Sequence, residues 1–130
     1  MVEVTQSQPP VTGTPPWGFH AIMDCSKCNS AKIKDISNIS AWLADALQKT
    51  KLTSVGAATV VSTNDGYTAV QILTTGTLTA QFVDAHNQIY VDVVSSAEYN
   101  PVELEISIKT FFDVAEADIK KILIPRNATV

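Results

Sequence analysis

Thr77-Leu78-Thr79-Ala80-Gln81-Phe82-Val83 and Ile89-Tyr90-Val91-Asp92-Val93-Val94-Ser95 decide the fold of this chain. Successive side chains of a strand point to opposite faces. Leu78, Ala80 and Phe82, with Ile89, Val91 and Val93, therefore share one apolar face, while Thr77, Thr79 and Gln81 share the other with Tyr90, Asp92 and Val94. A sheet with one apolar and one mixed face needs cover on one side only, which is the habit of antiparallel sheets. The connections agree. Asn64-Asp65-Gly66 and the segment 84–88 are short turns, so the strands they join run antiparallel.

Working outward, the pattern predicts a first strand over 18–25 and further strands over 55–62, 67–75, 77–83, 89–95 and 119–124, the last stopped by Pro125. Two helices cover the apolar face. Ile39, Trp42, Leu43 and Leu47 recur every three to four residues behind a cap at Ser37 or Asn38. Asn100-Pro101 starts the second helix, whose apolar stripe is Leu104, Ile108, Phe111 and Phe112. The expected class is α+β, an α/β sandwich with a mainly antiparallel sheet and two helices packed on one face. Residues 1–16 hold Pro9, Pro10, Pro15 and Pro16 among small polar residues, a composition expected of a disordered tail ahead of a single domain over 17–130.

Charge and length exclude several partners. The net charge is −4 and no basic cluster exceeds Lys120-Lys121, so nucleic acid is not expected. No apolar run approaches the roughly 20 residues that span a bilayer, and the first residues lack the pattern of a secretion signal, so a cytoplasmic protein with no membrane partner is expected. Apolar residues reach 45%, enough for a full core and for a surface buried against a second copy. The mixed sheet face is thus either solvated or covered by that copy with a ligand pocket at its edge.

Motif chemistry is sparse. Cys25-Ser26-Lys27-Cys28 is a lone C-x-x-C with only His20 and His86 to complete a metal site, so no metal is expected and two free thiols outweigh a zinc or redox pair. His20 shares a strand face with Ile22 and Asp24, which suits either a hydrogen-bonded structural histidine or a functional one. The chain has no nucleophile elbow, phosphate-binding loop or dinucleotide fingerprint.

Gly18-Phe19-His20, then Asp24, then Cys28 follow the spacing G-x-H-x3-[DE]-x3-C. This resembles the opening strand of the prokaryotic S-adenosylmethionine decarboxylases, the pyruvoyl enzymes of polyamine and spermidine synthesis. Gly66-Tyr67-Thr68 looks like the Gly-x-Ser that opens a central strand of that family, and Val91-Asp92-Val93 looks like its V-D-V strand. The element order matches over 18–126, and the general look is similar to the short, phage-encoded branch.

The resemblance implies a self-made cofactor. In the family a serine within Glu-Ser-His attacks the preceding carbonyl, the chain splits, and the new N-terminus becomes a pyruvoyl group that serves as electron sink for decarboxylation. Thr74-Thr75-Gly76 stands there instead, so no cofactor is expected. Thr75 would yield the bulkier 2-oxobutyryl group, and Ser96 takes the place of a proton-donating cysteine with a far weaker acid. Thr75 and Ser96 are the candidate catalytic replacements. His20, Asp24, Tyr90 and Asp92 are the candidate ligand-binding residues, a carboxylate and the aromatic faces of Tyr90 or Phe82 suiting a sulfonium cation.

Three functions follow from the resemblance. The first is a homodimeric relative that binds S-adenosylmethionine or a similar amine without decarboxylating it, a pseudoenzyme. The second is a lyase eliminating methylthioadenosine by positioning and electrostatics alone. The third is a non-standard decarboxylase acting through Thr75.

Overall fold

Alternating apolar positions assemble a single sheet in the computed structural model, which describes residues 5–6 and 15–127. Its strands are β1 (Thr5–Gln6), β2 (Gly18–Cys25), β3 (Thr59–Ser62), β4 (Gly66–Leu73), β5 (Gly76–Val83), β6 (Gln88–Ser95) and β7 (Ile119–Arg126). Their order is β1-β7-β2-β6-β5-β4-β3. All neighbours among β2 to β7 run antiparallel, while β1 lies parallel to β7 at Thr5↔Ile122 and Gln6↔Leu123. Most of the expected tail over 1–16 lies outside the described residues.

Helices α1 (Ile36–Thr50) and α2 (Pro101–Phe112) pack on one face of the sheet, as the binary pattern requires. They bury Met23, Leu78, Ala80, Phe82, Ile89, Val91 and Val93 beneath Ile39, Trp42, Leu104, Ile108 and Phe112. Trp42, Phe82 and Phe112 meet edge to face or tilted, with centroids 5.4 to 6.0 Å apart, which fixes both helices to the centre of the sheet. One polar pair enters this layer. Glu105 of α2 is fully buried and accepts a hydrogen bond from Lys121 of β7 at 3.1 Å.

The structure corrects four boundaries. Asp35, not Ser37 or Asn38, caps α1: its extended backbone lets the carboxylate accept from the N–H groups of Ser37 and Asn38. The Asn38 amide instead donates to the carbonyls of Lys32 and Phe111. β3 is limited to Thr59–Ser62 because Gly56 takes a left-handed φ of 69°, leaving one isolated bridge, Ser54↔Leu73, before it. The strand expected over 67–75 ends at Leu73, and Thr74-Thr75 form the turn into β5. Pro125 does not stop β7, which runs on to Arg126. Among the described residues the outer side of β7 is paired only at Ile122 and Leu123, so a missing N–H at position 125 breaks no bond there.

Candidate functional site

The face that the helices leave bare is a grid whose rows are set by strand register. One row runs Ile124, His20, Val94, Thr77, and ends at Ile72. The next runs Ile122, Ile22, Asp92, Thr79, Val70 and Thr59. A third runs Lys120, Asp24, Tyr90, Gln81, Thr68 and Val61. Polar groups thus occupy the middle of the face and aliphatic ones its flanks. Val61, Ile72, Tyr90 and Ile122 are all exposed.

Where β2, β5 and β6 meet at one end of the sheet, two residues lack side chains for a steric reason. A Cβ on Gly76 would lie 1.8 Å from the Val94 carbonyl oxygen, and one on Gly18 would lie 2.2 Å from that of Ser95. Both are below any real contact, so the strands pair closely there only because these positions are glycine. Around them sit three hydroxyls. Thr75 Oγ1 is 2.7 Å from Ser95 Oγ, and Ser95 Oγ accepts the Ala97 N–H at 3.1 Å. The Thr75 carbonyl accepts the Ser96 N–H at 2.9 Å, with the Ser96 hydroxyl at 3.4 Å. Thr75 and Ser96 are therefore brought together.

His20 and Asp92 also meet. His20 Nε2 lies 2.9 Å from Asp92 Oδ1, a geometry in which the ring N–H donates to the carboxylate. Arg126 Nη1 lies 3.5 Å from His20 Nδ1. His20 sits two residues along β2 from Gly18, close to the hydroxyl cluster. Asp24 and Tyr90 do not join it. They are cross-strand partners about 20 Å along β2 from Gly18, where Tyr90 donates to Gln88 and both line a small cavity of 200 Å³ with Lys120 and Asp118. Phe82 is excluded as a ligand platform: it is 1% exposed and belongs to the aromatic core under α1.

Sequence reading missed Ser95, Arg126 and the Thr68 to Gln81 hydrogen bond of 2.6 Å. Ser95 was visible only as the last residue of a strand. Arg126 lay beyond the proline expected to end β7, although it is the chain's one arginine.

Cys25 and Cys28 are free and buried. Burial pushes the Cys28 thiol up to about 11 and that of Cys25 further still, the reverse of an activated thiolate. No group of three or more metal-ligating side chains occurs among the described residues. A concavity of 1090 Å³ opens on the helix side between the end of α1 and the start of α2, lined by Phe19, Lys49, Tyr99 and Glu103. None of the candidate catalytic or ligand-binding residues lines it. Nor is any helix among the described residues long and apolar enough to cross a membrane.

A family model described as S-adenosylmethionine decarboxylase matches residues 19–123. Among solved structures, the crystal structure of the adenosylmethionine decarboxylase from Aquifex aeolicus VF5 superposes with a TM-score of 0.76 at 20% identity, covering 90% of this chain and 96% of that one. No curated protein sequence matches the chain significantly.

Proposed function

The chain belongs to the S-adenosylmethionine decarboxylase family, and from that premise we propose that it binds S-adenosylmethionine or a closely similar amine on its open sheet face without carrying out pyruvoyl-dependent decarboxylation. The observation that carries this reading is the packing at Gly76. No residue with a Cβ fits there while β5 pairs with β6, so the third position of the family's Glu-Ser-His cannot hold a proton-transferring side chain. The neighbouring Thr75 hydroxyl is engaged with Ser95. Thr74-Thr75-Gly76 does not fit a self-generated pyruvoyl group, and no step is assigned to one.

The polar groups that remain suit binding. His20 and Asp92 form an oriented pair in the centre of the face, with the exposed Ser96 hydroxyl near its end. A second copy of the chain closes the face into a pocket over the aliphatic flanks of Val61, Ile72 and Ile122. The assembly is read as a homodimer.

Titration with S-adenosylmethionine in a thermal-shift assay, with chromatography of the incubated ligand and intact mass, tests the proposal. The expected result is a rise in Tm, an unchanged ligand and a single mass near 14.0 kDa. An unmoved Tm sinks the binding function. Released methylthioadenosine would identify a lyase instead, and two fragments bearing a keto-acyl N-terminus would restore the decarboxylase.

A further inference from the structure

Met23, Cys25 and Cys28 place three sulfur atoms within six positions, and binding on the open face uses none of them. All three are buried, at 1%, 2% and 4% exposure, and belong to the apolar core on the helix side of the sheet. Met23 and Cys25 take successive positions on that side of β2, about 7 Å apart along the strand. The family spacing includes Cys28 and leaves positions 23 and 25 open, so the family resemblance does not account for the grouping.

The backbone folds Cys28 back beside Cys25. Lys27 takes a left-handed φ of 55°, which turns the chain just past the end of β2. The Cys28 N–H then donates to the Asn87 carbonyl at 3.0 Å, and the Ile89 N–H points at the Cys28 sulfur. Ile89 is the cross-strand partner of Cys25. Both thiols therefore flank one residue of β6, and no disulfide joins them. Cys25 also lines the 200 Å³ cavity at this end of the sheet, which gives a small ion a way in.

This donor set has a definite chemical preference. The absence of a three-ligand group among the described residues holds for His, Cys, Asp and Glu, a count that leaves out thioethers. A thioether beside thiolates selects a soft ion such as Cu(I), whereas a structural zinc wants four donors. Neither histidine supplies a fourth: His20 is on the open face and His86 is exposed. A coordinating thiol is deprotonated outright by its metal, so burial that makes these thiols poor nucleophiles does not bar them as ligands.

We propose that Met23, Cys25 and Cys28 form a three-sulfur site for one soft monovalent cation of the Cu(I) class. On binding, each thiol releases its proton to solvent and the two thiolates take the cation, leaving one net negative charge. Lys27, in the loop between the two cysteines and held only at 4.0 Å by Asp118, is placed to balance it. The site lies on the other side of the sheet from His20 and Asp92, and the proposal does not depend on what the open face binds.

The reduced protein, under nitrogen, is titrated into Cu(I) held by the coloured chelator bicinchoninate, and uptake is read as loss of that colour. One Cu(I) per chain and a raised Tm are expected. Cys25→Ser and Cys28→Ser should each abolish the transfer, and Met23→Leu, which keeps the volume, should weaken it about 10-fold. X-ray absorption of the wild-type complex should show sulfur neighbours only, and it decides the site even where a serine variant fails to fold. The proposal is overturned if copper stays with the chelator, if either serine variant still takes up one equivalent, or if Met23→Leu binds as tightly as the wild type. Nitrogen or oxygen neighbours on the copper overturn it as well, and so does uptake that lowers Tm, the mark of binding to unfolded chains.

Discussion

Thr75 Oγ1 and Ser95 Oγ lie 2.7 Å apart, and Ser95 Oγ also accepts the Ala97 N–H. Ser95 is fully buried, so this small network fixes the hydroxyl of the one residue that could attack its preceding carbonyl. Self-cleavage needs that oxygen free and a proton acceptor beside it. Thr75→Ser keeps the hydroxyl and removes only a methyl group. It is expected to remain one unbroken chain, because serine inherits the bond to Ser95 and position 76 still carries no acid or base. Intact mass after prolonged incubation reads this directly, and cleavage into two fragments would show that only the threonine methyl had blocked processing.

Gly76 gives a second expectation. A single methyl group there meets the Val94 carbonyl oxygen 1.8 Å away, in backbone that cannot move without disturbing the β5 and β6 ladder. Gly76→Ala should lower stability by about 1 to 3 kcal/mol in urea denaturation, in line with other overpacked sites. Thr74→Ala, at an exposed turn position, should stay within about 0.5 kcal/mol.

The strands around Gly76 were legible because each alternates cleanly: Leu78, Ala80 and Phe82 inside, Thr77, Thr79 and Gln81 outside. Both helices were legible from their stripes for the same reason. What periodicity cannot report is where an end group finds its partner. Asp35 displaced Ser37 and Asn38 as the cap because tertiary bonds to Phe111 and Lys32 claimed the Asn38 amide. Arg126 entered the site because Pro125 occupies a stretch of β7 whose outer side needs no hydrogen bond. The His20 to Asp92 contact joins residues 72 apart in sequence; the family resemblance singled out each residue but did not pair them. Neighbouring rows of one face also separated Asp24 and Tyr90 from Thr75 and Ser96, a distance no motif encodes.

Tyr99 ties this end of the sheet to the helix layer. Its hydroxyl accepts the Ala21 N–H at 3.0 Å and donates to the Val93 carbonyl at 2.7 Å, so one oxygen serves β2 and β6 at once. Burial pushes its ionisation well above the usual tyrosine range, which keeps the proton on the donor. Tyr99→Phe leaves the Ala21 amide without that partner in a fully buried position. A loss of about 1 to 3 kcal/mol is expected. Hydrogen exchange should show faster exchange at Ala21 than at Met23, and equal rates at both would mean that the hydroxyl is dispensable.

The buried thiols predict a pH effect with a definite sign. Burial raises both, Cys28 to about 11 and Cys25 beyond it, so the folded chain holds these protons more tightly than the unfolded chain. Their contribution is fully present below the unfolded value near 9.0 and is lost as pH rises toward 11. Each thiol should steepen the fall in stability by about 1.4 kcal/mol per pH unit in that window. Urea midpoints of the wild type and of Cys28→Ala at pH 8.0, 9.5 and 10.5 measure the difference, other titrating groups being common to both. Parallel curves would mean that the Cys28 thiol ionises alike in the folded and unfolded chains.

The last expectation concerns what covers the open face. Ile72 and Ile122 are 49% and 41% exposed, on opposite flanks of rows whose centres hold His20 and Asp92. Isolated apolar residues on a surface are ordinary, but these stand on one continuous sheet face with Val61 and Tyr90. A stable interface hides about 800 Å² on each partner, an area a six-strand antiparallel face can supply. Sedimentation at micromolar concentration should therefore give twice 14.0 kDa for the wild type. Ile122→Asp places a charge in the proposed contact and should yield the monomer with its Tm little changed at low protein concentration, since the side chain touches none of the core. On the proposed dimer, in which the second copy would close the pocket, the same variant should also lose the thermal response to S-adenosylmethionine. A wild type that sediments as a monomer would end the dimer model, and a dimeric Ile122→Asp variant would move the interface to another surface.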